Sequence, residues 1–283
     1  MRPTPAVLLP LALAAASTAA GQEFRVHTVV SDVPAGDEPV ELARSLTLFH
    51  AGQSWDYAVE AGEVVRFDPG AAAFTVLDLR RDLACEVSLA EVDRRLTVGR
   101  QETEKYLAQI AADPAAAGLS RELAFQLNPR FAVADRDGGA LHFGGGPIEY
   151  DVTPATPKSP GTAAFYLDYA DWTARLNYAL RPGDFPGVRT AVNAELRERG
   201  VVPQRVVKTV AGAARPAAAG VVQAGATAPA ATVRRAEHTF QESLAPRDRE
   251  LLAEWRGRLA AGAARRVTFR EYVRLTTGAV AER

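Results

Sequence analysis

The chain has 283 residues, of which 33 are basic and 34 acidic, and its formal net charge is −1. That balance excludes strong electrostatic steering toward nucleic acid or an anionic membrane surface. The length accommodates one large or two modest domains at roughly 100–200 residues each, and the single cysteine, Cys85, excludes an intrachain disulfide.

The first residues carry an address. Arg2 precedes an apolar run from Ala6 to Ala16, and the small residues Ser17, Thr18, Ala19, Ala20 and Gly21 follow. A short positive region, a short apolar core and an A-x-A-like end predict a signal peptide over 1–21. The run is too short for a spanning helix, which needs about 20 apolar residues. The mature chain is expected to start near Gly21 or Gln22, in the periplasm or secreted, with no transmembrane span left after cleavage. Lysine stands only at Lys105, Lys158 and Lys208, so arginine supplies nearly all the basic charge. With the many alanines, this composition reads as a GC-rich bacterial coding bias. The arginines are scattered beside acids and read as solvated faces.

Residues 23–30 alternate, with Phe24, Val26, Thr28 and Val30 on one face, and predict a half-buried strand. Short strands follow at 45–50, 54–59, 63–67, 74–79 and 84–87. Turn signals such as Ala51-Gly52, Ala61-Gly62 and Asp68-Pro69-Gly70 separate them. A spacing of about ten residues per strand predicts an antiparallel meander. Ser88 and Glu91 form a capping box, opening a helix over 89–112 whose seam is Leu89, Val92, Leu96, Gly99, Thr103, Tyr106 and Ile110. A shorter helix is expected over 120–127. Asp137-Gly138-Gly139 predicts a hairpin turn between strands at 131–134 and 140–143, and another strand covers 148–152. The proline-rich stretch 153–161 reads as a loop.

Residues 162–180 predict a helix with an aromatic stripe of Phe165, Tyr169 and Trp172, and a helix over 185–199 follows. Strands are expected at 201–210 and 232–241. Between them, 211–232 is half alanine with Arg215 its only charge; it reads as a flexible loop lacking the apolar mass for a core. Helices over 247–261 and from the Thr268–Glu271 capping box to Leu275 complete the chain. The fold class expected is α+β: a curved antiparallel, half-barrel-like sheet whose concave face packs on helices at 89–112, 162–180 and 185–199, with a C-terminal helical extension. The expected organisation is a signal peptide (1–21), a sheet-plus-helix domain (22–210), an Ala/Gly-rich loop (211–232) and a returning strand with C-terminal helices (233–283). The rival is two domains divided at 153–161.

Chemistry-bearing motifs are sparse. The histidines His27, His50, His142 and His238 show no metal-ligand spacing, and G-x-S-x-G and S-x-x-K are absent. Cys85 shares a face with Val87 and Leu89 and reads as a buried small hydrophobe. Gly144-Gly145-Gly146 precedes a proline and a strand and reads as a turn; a phosphate loop would place its glycines before a helix. Asp168 and Asp171, at i and i+3 beside aromatics, are the candidate catalytic pair. The alternative for them is a solvated face, with Asp171 pairing Arg175. No cofactor and no metal is implied.

Leu46-Thr47-Leu48-Phe49, Trp55-Asp56-Tyr57, Val64-Val65-Arg66-Phe67-Asp68 and Phe74-Thr75-Val76-Leu77-Asp78 together resemble the hairpins of the periplasmic lipoprotein-carrier family, which ferries lipidated proteins across the bacterial envelope. The resemblance covers about half the chain. It implies a curved sheet plugged by helices, an apolar cavity and no catalytic residues. The expected function is an exported, non-enzymatic protein binding an apolar ligand, a lipid or lipoprotein acyl chain, between sheet and helices. The candidate lining is Phe49, Trp55, Phe67, Tyr169 and Trp172. The alternatives are a hydrolase using Asp168 or Asp171, and an envelope interaction protein without ligand.

Overall fold

A computed structural model describes residues 23–35, 38–159, 161–212, 231–260 and 262–277. The expected signal peptide and most of the Ala-rich segment lie outside the described residues. The strands are β1 (Phe24–Asp32), β2 (Val40–His50), β3 (Gln53–Ala58), β4 (Glu63–Asp68), β5 (Ala73–Asp78), β6 (Leu83–Ser88), β7 (Ala132–Asp135), β8 (Leu141–Gly144), β9 (Ile148–Ala155), β10 (Val202–Val210), β11 (Thr232–Gln241) and β12 (Arg265–Arg266). The helices are α1 (Leu89–Ile110), α2 (Ala117–Leu127), α3 (Thr162–Leu180), α4 (Gly187–Glu198), α5 (Pro246–Ala260) and α6 (Phe269–Thr277).

The architecture is the α+β one expected, a curved open sheet on helices. Its 12 strands run in the order β12-β6-β5-β4-β3-β2-β1-β11-β10-β9-β8-β7. All neighbours pair antiparallel except β12 with β6. The first meander, β1 to β6, and the second, β7 to β11, meet where β11 pairs with β1. Strands from before and after the stretch 153–161 thus belong to one sheet.

Two strands outrun the sequence pattern. β2 starts at Val40 because its first residues pair with β1 beyond a bulge at Val30/Ser31. β9 continues through Pro154, which stands opposite Pro203 beside a second bulge; a proline is tolerated where the ladder is already broken. The two-residue β12 carries no apolar pattern and was not legible, yet it covers the β6 edge that would otherwise be open.

Period-two alternation sorts the sheet residues onto two faces. The inner face gathers Phe24, Val26, Phe49, Phe67, Phe74, Val76, Cys85 and Val87, and packs on α1, α3, α4 and α6 in one core. The outer face presents Leu48, Trp55, Val64, Leu77 and Ala84 to Leu252 and Trp255 of α5. After β11 the chain thus crosses the outer face as α5, rounds the β6 edge as β12 and reaches the inner face as α6. Arg25 on β1 anchors α5 through Asp248, at 3.0 Å. Tyr272 anchors α6, its hydroxyl donating to Glu63 Oε2 at 2.6 Å.

The helix caps are those of the sequence motifs: Ser88 Oγ accepts from the Glu91 N–H at 3.1 Å and Thr268 Oγ1 from the Glu271 N–H at 3.2 Å. The α1 seam is buried mainly at its start, with Val92 fully buried and Tyr106 41 % exposed. Two glycines set how the helices meet. A Cβ at Gly99 would stand 2.3 Å from the Tyr178 hydroxyl of α3, and one at Gly187 would stand 2.6 Å from the Gln126 carbonyl of α2. Gln126 also accepts the Phe185 N–H at 2.7 Å, so the connector from α3 to α4 is held at a defined height over the sheet.

Candidate functional site

Where Phe24, Phe49, Phe67, Phe74 and Cys85 lie, the inner face is filled by side chains. Phe49 stacks on Phe24 at a centroid distance of 4.0 Å and meets Tyr169 edge-on at 5.3 Å. Phe67 and Phe74 lie 4.9 Å apart. Toward β1, β11 and β10 the packing opens into a trough between the inner face, α3 and the α3–α4 connector. A cavity of about 570 Å³ is lined by Thr28, Thr47, Tyr166, Tyr169, Arg189 and His238 among others. It adjoins a second of about 380 Å³ lined by Asp56, Glu63 and Arg181. Thr173, Ala174, Asn177 and Asp184 line both, so the two read as one trough. The size falls within the roughly 300–1,000 Å³ of small-molecule sites. A more open depression of about 740 Å³ lies at α2 and the β8–β9 turn and borders Ala211 and Gly212, at the limit of the described residues. Gly144 ends β8, and Gly145 and Gly146 lie in that turn between two strands.

Alternation explains why the trough floor is polar. Thr28, Thr47, Asp56 and Glu63 occupy inward positions in otherwise apolar strands. Thr47 Oγ1 donates to Asp56 Oδ1 at 2.8 Å and lies 3.4 Å from the Tyr169 hydroxyl. Burial raises the pKa of Asp56, and the nearby Glu63 charge adds to the effect. Glu63, itself buried, takes hydrogen bonds from Tyr272 and from Arg181, the latter at 3.1 Å. Burial also raises the hydroxyl pKa values of Tyr150, Tyr166 and Tyr169.

His238 sits at the β11 position opposite Thr28, with Nδ1 2.9 Å from Thr28 Oγ1. It is 6 % exposed, and its Nε2 is buried without a partner among the described residues. Burial, followed by the positive charge of Arg189, holds its pKa down to about 3, so the ring is neutral at neutral pH. Tyr166 meets it edge-on at 6.2 Å.

The structure scatters the expected site residues. Tyr169 alone of the candidate lining faces the trough. Phe49 and Phe67 are 0 % and 2 % exposed, in the filled core. Trp55 lies on the opposite face, because Leu48 pairs with Trp55 while Phe49 pairs with Ser54, and Trp55 packs on Trp255 of α5 at 6.3 Å. Trp172 lies under the Arg175 guanidinium at 4.7 Å and does not line the trough.

Asp168 and Asp171 also stand away from it. Arg197 of α4 donates to both, at 3.1 and 2.8 Å, and Asn193 donates to Asp171 at 2.7 Å. They pin α3 to α4. The i,i+4 partner expected for Asp171 is engaged elsewhere: Arg175 pairs with Asp93 of α1 at 3.3 Å. Cys85 is buried near Glu63, and burial pushes its thiol pKa up to about 12.

Apart from Tyr169, the residues that line the trough share no sequence motif, because they come from segments far apart in the chain. His238 lies between Ala236 and Phe240 on one alternating face of a strand; an inward histidine in an apolar row was the available signal. Among the described residues no group of three or more His, Cys, Asp or Glu side chains could hold a metal ion. No described helix is long and apolar enough to cross a membrane. In sequence the chain matches no protein-family model and no curated protein.

Proposed function

We propose that this protein is an exported, non-enzymatic binding protein that holds a lipid or acyl chain in the trough between the inner face of the sheet and helices α3 and α4. The observation that carries this reading is that two adjoining cavities with a shared wall open beside the filled part of the inner face. Its walls combine apolar surface from Val30, Ala170, Phe185, Val188 and Val206 with polar groups on the floor and at one end. That combination suits an amphiphile better than a wholly apolar molecule. The resemblance of residues 45–87 to the lipoprotein-carrier hairpins points to the same class of ligand, and the signal-like N-terminus to an exported setting.

Native mass spectrometry of protein purified from its own host tests this directly. The expected result is a co-purifying amphiphile in the wild type and its loss in Ala174→Trp, which fills the shared wall of the trough. A clean apo mass, with no thermal shift from fatty acids or phospholipids, would overturn the reading.

A further inference from the structure

Arg189 reaches from α4 into the trough and is only half-buried there. Its positive charge acts on the nearby Tyr150, Tyr166 and His238. The other cations lining the trough have carboxylates beside them. Lys208 pairs with Asp184, Arg234 lies 3.7 Å from Asp32, and Arg235 lies 3.6 Å from Glu237. Among the described residues no carboxylate stands within ion-pair distance of Arg189. A partly desolvated cation without a counter-charge favours an anion more than a solvated one does, and a guanidinium suits a planar or tetrahedral oxyanion through paired N–H donors.

A second, independent observation lies in the same cavity. His238 Nε2 is buried and unpartnered while Nδ1 is occupied at Thr28. A neutral imidazole carries one proton, and if the Thr28 hydroxyl donates to Nδ1, that proton sits on Nε2 as a donor. Arg189, Tyr166 and His238 then line one cavity with donors, while in the adjoining one Glu63 is engaged by Arg181 and Tyr272 and Asp56 accepts from Thr47.

We infer that this end of the trough is the seat of an oxyanion, with Arg189 as its principal partner, and that the amphiphile held there carries an acidic head: a fatty-acid carboxylate or a lipid phosphate. The inference rests on the proposed lipid-holding function, and the experiment separates the two. Delipidated full-length protein is titrated calorimetrically at pH 7.5 with oleate, 1-oleoyl lysophosphatidate, oleyl alcohol and inorganic phosphate, and the series is repeated with Arg189→Gln and Arg189→Lys.

Oleate or lysophosphatidate should bind at least tenfold more tightly than oleyl alcohol, the magnitude of a charged hydrogen bond. Arg189→Gln should bring the acids down to the level of the alcohol without weakening the alcohol, and Arg189→Lys should retain part of the preference. The tighter of the two acids names the source of the oxyanion. Equal binding of oleate and oleyl alcohol by the wild type would overturn the oxyanion seat and leave the lipid-holding function standing; this comparison does not depend on any variant folding. Acids that still outbind the alcohol in Arg189→Gln would overturn the role of Arg189. Arg189-dependent binding of inorganic phosphate, with no binding of any amphiphile, would support the seat and overturn the lipid-holding function. No binding of any of the four would overturn both.

Discussion

The two ends of the inner face carry similar strands and opposite contents. Around Phe49, Phe67, Phe74, Val76, Cys85 and Val87, side chains interlock with α1, α3 and α6 in the filled core. Under β1, β11 and β10 the same alternation delivers Thr28, His238 and, from α4, Arg189 to a trough. The first end is held by packing, where each large side chain contributes roughly 1.5–3 kcal/mol by leaving water. The second gives up some of that burial to keep polar groups facing a cavity. A fold that covers one end of its sheet completely can leave the other end open, because the continuous hydrogen-bonded ladder ties both ends together.

The sharpest way to break this comparison is to remove a ring from the filled end. Phe49→Ala deletes a fully buried, stacked side chain and should cost about 3–5 kcal/mol in urea unfolding. Ala174→Trp, in the trough, should stay within about 1 kcal/mol of wild type. Equal losses would erase the distinction between the two ends.

Acid is expected to act on the open end next. The folded protein holds the His238 pKa down to about 3 from 6.5, so below the higher value the unfolded chain takes up a proton that the folded protein refuses. Stability contributed by the neutral ring is full above pH 6.5 and is lost as pH falls toward 3, by up to ~1.4 kcal/mol per pH unit. Glu23, whose pKa the Arg249 hydrogen bond lowers from 4.5 to about 2, adds a separate, solvent-screened loss between those values. Stability curves of wild type and His238→Gln should diverge in the upper part of the decline. An unchanged slope in the variant would assign that decline to other groups.

A smaller effect is expected where the C-terminal segment is fastened. Tyr272→Phe removes the hydroxyl that donates to buried Glu63 and leaves Arg181 as its remaining hydrogen-bond donor among the described residues. The cost should be about 1–3 kcal/mol, with faster proteolysis of the chain after α5. Resistance equal to wild type would show that the apolar contacts of Phe269 hold α6 without this bond. The smallest effect belongs to Asp168, whose side chain is 64 % exposed in its pair with Arg197. Asp168→Ala should change stability by less than about 1 kcal/mol and leave amphiphile binding intact. Loss of a measured hydrolytic activity in that variant would instead support the carboxylate-enzyme alternative.

Much of the fold was legible residue by residue. The Ser88 and Thr268 capping boxes start α1 and α6, the strand at 232–241 coincides with β11 and the helix at 162–180 with α3. These are local outcomes: a cap, a turn or an alternation is decided by neighbours within a few residues. The site was not legible in the same way. Phe49 and Trp55 look alike in sequence and lie on opposite faces, because face depends on strand register, and register is settled only when β2 and β3 pair. Asp171 finds Arg197 and Asn193 on another helix in place of its expected i,i+4 neighbour. Thr28 and His238 stand opposite each other across a separation of 210 residues, a meeting made by the return of β11 to β1. Sequence by itself determined most of the segments that became strands and helices, β12 excepted, and which of their residues alternate. The tertiary structure decided which face was filled, which stayed open and which distant polar groups share the trough, since those depend on pairings between segments far apart in the chain.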